Sequence, residues 1–390
     1  MNFEHEPILI SRRSFLEASI LAGAQLSAAG LLLGLHSHSS QAALLQAKTG
    51  MAKSEDTDTS GVSPNVFVHI APDGMVTIIC HRSEMGQGIR SSIPVLIADE
   101  LGADMKHVKI VQADGDSVYG DQNTDGSNSI RGFYEDLRRV AATARMMLVE
   151  AAARQWKVSP DSCVAEEHFV RNKSGEQKLG FGELANLARK SPVPKVSEVK
   201  LRPNSELRYV GKQLPLIDGP AYVTGTALFG ADIRLPGMLI AIIARPPVVG
   251  GTVAHFNPLS DGKAALTIRG VKHVIQIPAP KAPYGFQFWG GIAVLAENTW
   301  SAKKGRDALQ IKWNHGKNET YDSGKFREEL LRAVRTPGKI VRNLGDVDAT
   351  IKLSQRTLDG EYYVPHLPHV SMEPPVALAR FEKGHCEIWA

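Results

Sequence analysis

Hydrophobic and polar positions along the chain mark out two patterned stretches with a polar run between them. Met75-Val76-Thr77-Ile78-Ile79-Cys80 is apolar and largely β-branched, which predicts a strand. Asn65-Val66-Phe67-Val68-His69-Ile70 predicts a second strand, joined to the first as a β-hairpin through Pro72-Asp73-Gly74. Further on, Ile93, Leu96, Ile97 and Leu101 fall on one face of a helix. Ser91 or Ser92 suits its cap, Pro94 its first turn and Gly102 the left-handed position at its end. A strand follows at 108–112. A long helix runs from about residue 132 to residue 156, with Leu137, Val140, Ala141, Ala144, Leu148, Ala151 and Ala152 as a core-facing stripe. A small α+β stretch continues to about residue 188, and the Pro/Lys/Ser-rich run 191–200 is a linker.

The pattern resumes near Arg208. Strands are expected at 239–244, 271–277 and 291–296, then a short helix opening at Asn298-Thr299 and ending near Asp307, then a strand at 309–313. A helix at 321–335, a strand at 357–364 and a final hairpin complete the pattern. The hairpin pairs 376–381 with 386–390 around the turn Glu382-Lys383-Gly384-His385.

The 390 residues allow two or three domains and a sizeable core, and 43% hydrophobic with 22% charged residues is ordinary for a globular chain. The net charge of +4 comes without any basic run, so no nucleic-acid partner is expected. Ser11-Arg12-Arg13-Ser14-Phe15-Leu16 carries the paired arginines of a Tat export signal, and an uncharged stretch follows from Ile20 to Leu35. Ser40-Gln41-Ala42 offers small residues for cleavage before Ala43, an uncleaved anchor being the alternative. Residues 1–42 are therefore read as the signal and 43–63 as a linker, and the protein is expected in the periplasm.

Candidate chemistry sits between the strand at 75–80 and the helix after it. Gly86-Gln87-Gly88 lets the backbone turn tightly and lets a ligand approach the main chain. The N-terminus of the helix offers amide groups and a positive dipole end to a phosphate or pyrophosphate. Gly-x-Gly alone marks no more than a turn: the third Rossmann glycine is replaced by Ser91, and no Walker lysine is present. A second polar, glycine-containing loop, Asn123-Thr124-Asp125-Gly126-Ser127-Asn128-Ser129, precedes the long helix. Two such loops can hold a large phosphorylated cofactor at two points.

The pair Glu84-Met85-Gly86-Gln87-Gly88 and Thr124-x-Gly126-Ser127-x-Ser129 resembles the pterin-binding segments of the xanthine dehydrogenase and aldehyde oxidase family. The arrangement is most similar to the large molybdenum subunit of the isoquinoline 1-oxidoreductase type, in which these segments come early in the chain. The resemblance implies that Gly86, Gln87, Gly88, Thr124, Gly126, Ser127 and Ser129 contact molybdopterin cytosine dinucleotide with its molybdenum. It implies an α+β architecture: a partial molybdopterin-binding domain at 64–190, an α/β hammerhead domain at 206–315, and the start of a second molybdopterin-binding domain at 320–390. Pro365-His366-Leu367-Pro368-His369-Val370-Ser371-Met372-Glu373-Pro374-Pro375 resembles the family segment that carries an active-site glutamate, which Glu373 matches.

The family reaction inserts a water-derived oxygen at an electron-poor carbon of an N-heteroaromatic ring or an aldehyde. The electrons leave through a small subunit holding [2Fe–2S] clusters, with a c-type cytochrome as a candidate acceptor. Cys80, Cys163 and Cys386 fit no Fe–S or zinc spacing, so clusters must come from such a partner. His366 and His369 have no third ligand nearby and Pro368 breaks any helix between them, so no protein-held metal site is assigned. The resemblance covers the first half of the family's subunit, and the sequence stops at Ala390 within an expected strand. The reading is therefore half of a molybdenum hydroxylase subunit. The alternative is a non-catalytic exported fragment or binding protein that retains only anion or cofactor contacts.

Overall fold

The computed structural model describes residues 61–390 except 282, 286 and 369. The expected export signal, its expected cleavage site and nearly all of the expected linker lie outside the described residues, as does His369. The chain divides into two units, residues 1–227 and 228–390.

The described part of the first unit opens with β1 (Val62–Asn65), β2 (Val68–Ile70) and β3 (Val76–Cys80). Helix α1 (Ile89–Leu101) leads to β4 (Val108–Gln112). The sheet order is β1-β2-β3-β4, antiparallel until β3, whose partner β4 runs parallel with Val76 opposite Val108 and Cys80 opposite Gln112. A parallel pair needs a crossover, and α1 supplies it, so the loop before α1 sits at the C-terminal end of β3. Helix α2 (Tyr134–Trp156) packs along α1. The antiparallel strands β5 (Cys163–Glu166), β6 (Phe169–Asn172) and β7 (Lys178–Gly180), then α3 (Phe181–Ala188), close the core. All seven residues of the stripe expected on α2 are buried, as are Ile93, Leu96, Ile97 and Leu101 of α1.

Helix α1 starts earlier than the sequence suggested. Gly88, not Ser91 or Ser92, is its N-cap, in the left-handed region at φ 86°, and Pro94 therefore lies inside the helix rather than in its first turn. Ser92 Oγ instead donates back to the Gly88 carbonyl, and Ser91 Oγ accepts from the Ile217 amide. Gly102 ends the helix at φ 84°, as its position implied.

Two adjacent carboxylates at the end of α1 tie the following chain to this unit. Asp99 accepts from the amides of Arg208, Tyr209 and Val210 at 2.7, 2.8 and 2.9 Å. Glu100, fully buried, accepts from Arg138 and Arg145 at 2.8 Å each and from the Arg202 amide at 2.9 Å. Residues 202–210, of which 206–210 were expected to open the next domain, are thereby stitched to α1 and α2. The short helix α4 (Gly219–Thr224) follows within the same unit.

The second unit contains β8 (Ile240–Ala244), β9 (Thr252–His255), the one-turn helix α5 (Lys263–Leu266), β10 (Val271–Ile277) and β11 (Gly291–Ala296). Strands β10, β11 and β8 form an antiparallel sheet in that order, on which α6 (Thr299–Asp307) packs. Asn298 caps α6 by accepting from the Ser301 amide. Strand β12 (Lys312–Asn314) pairs with β9, three residues later in its start than expected. Helices α7 (Ser323–Val334) and α8 (Val347–Leu353) follow, the second not foreseen. The strand expected at 357–364 is not formed: among the described residues this segment has no ladder partner, and a segment without one is not a strand. The last hairpin is present, β13 (Leu378–Glu382) with β14 (His385–Trp389), turning on Lys383 and Gly384 at φ 50° and 83°. Both units mix helices with mainly antiparallel sheets, so the α+β class holds.

Candidate cofactor-binding site

The site forms where β3 ends. Cys80 is buried, burial raises its thiol pKa, and its Sγ donates to the Arg82 carbonyl at 3.4 Å. It acts as the small buried residue that its strand position implied. His81 and Arg82 come next, 1% and 0% exposed. The His81 ring packs edge-on against Phe67 and Phe133, at 5.5 and 5.2 Å between centroids. Burial, with the Arg82 charge beside it, lowers its pKa to about 4, so the imidazole is neutral near pH 7. The Arg82 guanidinium lies over the Phe133 ring at 4.4 Å and pairs with Asp121 at 3.2 Å.

Residues 83–88 form a loop that satisfies itself. Glu84 accepts from the amides of Gly86 and Gly88 through Oε1, at 2.7 and 2.9 Å, and from the Arg90 amide through Oε2, at 3.1 Å. The Gly88 and Arg90 amides are at the start of α1, where the sequence offered a seat to a phosphate. The expected anion seat is therefore filled by the chain's own carboxylate, which gains the same amide contacts and dipole as an external anion. Gln87 is consumed too: its Oε1 accepts from the Met85 amide at 2.6 Å and its Nε2 donates to the Ser83 carbonyl at 3.0 Å. Gly88 is buried at the helix start, whereas Gly86 and Gln87 are exposed.

The second loop stands beside the first. The Ser83 amide donates to Thr124 Oγ1, and Thr124 Oγ1 donates to the Ser83 carbonyl, both at 3.1 Å. Gly126 and Ser127 turn through the left-handed region at φ 55° and 54°, and the Gly126 carbonyl accepts from Arg131. Ser129 follows in the turns that lead to α2, half-buried. Thus all seven residues expected to contact a cofactor lie on two neighbouring loops of one unit.

The space beside both glycines is open. A Cβ built on Gly86, at φ 97°, or on Gly126 would meet nothing within 4 Å. A ligand can therefore approach the backbone at both positions without meeting a neighbouring group, and in this limited steric respect the residues fit a pterin group. Arg90, half-buried, is committed elsewhere, to Asp218 at 2.7 Å, and that bond raises its pKa.

Glu373 belongs to the second unit. It is exposed, and its Oε1 accepts from the Gly230 amide at 3.3 Å. His366 bonds to the Tyr321 hydroxyl at 3.0 Å and stacks on Phe326. Among the described residues, no three His, Cys, Asp or Glu side chains gather as metal ligands would. Sequence reasoning passed over Arg82 and Asp121; for Arg82 the available signal was a charged residue two positions after an apolar strand.

Residues 39–218 match the family model of the molybdopterin cofactor-binding domain. The beta chain of isoquinoline 1-oxidoreductase from Brevundimonas diminuta is 29% identical over 70% of this chain and 38% of its own length. The membrane-bound aldehyde dehydrogenase [pyrroloquinoline-quinone] of Gluconacetobacter polyoxogenes is 29% identical over 99% of this chain and 48% of its own. A nicotinate dehydrogenase subunit from Pseudomonas putida is 27% identical over 89% of this chain and 30% of its own. The chain thus spans less than half the length of each of these relatives. Its first unit carries a molybdopterin cofactor-binding domain, and both loops fall inside the matched residues. The chain is similar to the molybdenum-binding subunits of the xanthine dehydrogenase and aldehyde oxidase family.

Proposed function

We propose that this chain supplies cofactor-binding residues to a molybdenum hydroxylase that oxidises N-heteroaromatic compounds or aldehydes with water-derived oxygen. The observation that carries the reading is the Ser83–Thr124 pair, which joins two open, glycine-bearing loops within the matched domain. When bound, the molybdenum group supplies the two-electron oxidation. The chain's own part is to hold and orient that group. Gly86 and Gly126 give the pterin its backbone approach. Glu84 and Gln87 keep the first loop in shape, and Thr124 holds the second loop to it. Ser127 and Ser129 offer hydroxyls on the same loop as Gly126.

The cytosine dinucleotide form of the cofactor, a separate [2Fe–2S] subunit and a cytochrome acceptor belong to this proposal. They are supported by the family and by relatives that are themselves named as subunits. The quinone in the name of the aldehyde-oxidising relative is not carried over to this chain, because the matched domain is a pterin-binding one. Glu373 is proposed to orient substrate by hydrogen bonding in the assembled enzyme.

Gly86→Val tests the proposal. A β-branched residue at φ 97° is strained and would stand in the approach path, so bound pterin should fall about tenfold or more while circular dichroism is unchanged. Pterin is read by fluorescence after oxidation. Equal pterin in the variant and parent rejects the loop as a cofactor contact. In the same series, Glu373→Gln should retain pterin and molybdenum but lower turnover, and unchanged kinetics with an aldehyde and an N-heterocycle would remove it from the active site.

A further inference from the structure

The Ser83–Thr124 pair joins the two cofactor loops, which leaves open what holds that pair in register. Arg82 meets both the sheet and the loops. Its carbonyl accepts from Cys80 Sγ at 3.4 Å and from Gln112 Nε2 at 3.3 Å, which pins its backbone to the ends of β3 and β4. Its guanidinium is held at the other end, over Phe133 at 4.4 Å and against Asp121 at 3.2 Å. Asp121 uses its second oxygen to accept from the Asn123 amide at 2.9 Å, the turn that starts the second loop. The neighbouring residues complete the link, since Ser83 adjoins Arg82 and Thr124 adjoins Asn123.

A cation in this position is costly. Arg82 is 0% exposed, and its Nε and Nη1 have no hydrogen-bond partner among the described residues. Burying a guanidinium with only part of its donors satisfied is unfavourable for stability alone, so a residue serving only the core would be better apolar. The single pairing geometry that offsets part of this cost is directional: a planar fork fixed at one end and aimed at the root of the second loop.

We propose that Arg82 is a positioning residue, which through Asp121 sets the distance between the 83–88 loop and the 123–129 loop and so the width of the cofactor cradle. The consequence for the cofactor rests on the molybdopterin reading above; the link between the loops does not. Glu84 and Gln87 of the first loop do not make this link, because both are turned onto their own backbone.

Hydrogen–deuterium exchange on the full chain tests this, with Asp121→Asn and the double variant Arg82→Met/Asp121→Asn. The double variant removes both charges, so it leaves no unpaired buried cation and keeps the test decisive if the single variant does not fold. Each variant is expressed in a host that makes the molybdenum cofactor, and its pterin content is measured in parallel. The Ser83 amide, which donates to Thr124, should exchange about tenfold faster while the Ile79 amide of the sheet, bonded to the Phe67 carbonyl, keeps its protection. Bound pterin should fall about tenfold. Parental protection at Ser83 in a folded variant overturns the proposal, as does unchanged pterin in variants whose loops have loosened. If the parent itself binds no pterin, the exchange data alone decide the link, and it is the functional reading that fails.

Discussion

The two units treat similar side chains in opposite ways. In the first, a continuous core runs from Val62 to Ala188, and it encloses charges as well: Glu100 is 0% exposed between Arg138 and Arg145. In the second, the core cluster is Phe256, Ala265, Val274, Ile292 and Val294, packed where α5 and the β10–β11–β8 sheet meet. Beyond it, Val341, Tyr362 and Met372 stand 90%, 93% and 98% exposed. Apolar residues occur in both halves, so hydrophobic content does not make the difference. Burial depends on whether a second surface faces the first, and in the first unit α1 and α2 provide that surface for each other and for the sheet.

The largest break in this comparison is expected at Glu100. Glu100→Ala leaves Arg138 and Arg145 with no counter-charge in the interior and should destabilise the first unit by about 3–5 kcal/mol. Denaturant unfolding followed by a probe in each unit would show it: the transition of the first unit moves and that of the second does not. A loss under about 1 kcal/mol would mean that the network is solvated and that the contrast between the units is overstated.

A smaller effect follows from His81. Its pKa is about 4 in the folded chain against 6.5 for an ordinary histidine. The depressed value means that the fold favours the neutral ring. Well above pH 6.5 both states are neutral there and nothing changes. As pH falls from 6.5 towards 4 the unfolded chain takes up a proton that the folded chain refuses, so stability is lost across that window, by roughly 3 kcal/mol. His81→Leu should remove this share of the acid sensitivity, read as the difference between stabilities at about pH 7 and about pH 4.5. Equal slopes in parent and variant would place the ring in water.

The smallest effect is expected at Met372. A side chain that is 98% exposed contributes little, so Met372→Ser should change stability by less than about 0.5 kcal/mol. A loss well above this in solution would sharpen the comparison differently, by showing that a surface covers this face of the second unit.

Local pattern carried much of this architecture. The periodicity of Ile93, Leu96, Ile97 and Leu101 placed α1, and the stripe from Leu137 to Ala152 placed α2, because one buried face leaves its spacing in the sequence. Strands β10 and β11 and the final hairpin were legible for the same reason, with Gly384 marking the turn. The expected strand at 357–364 shows the limit. Residue preference can favour an extended chain, but a strand exists only when another strand pairs with it.

What the sequence determined by itself was most of the elements of the first unit, the α+β class and the two glycine-bearing loops, all of which depend on neighbours in the chain. The tertiary structure decided the rest. It set β3 and β4 parallel, so that the first loop lies at a strand end. It brought Thr124 to Ser83, 41 residues apart in the chain, and Asp121 to Arg82, 39 apart. It placed Glu84 on the amides that would otherwise serve an external anion. Each of these depends on which group reaches a hydrogen-bonding partner first in three dimensions. A buried donor or acceptor takes the partner that the fold brings near, and spacing along the chain does not name that partner.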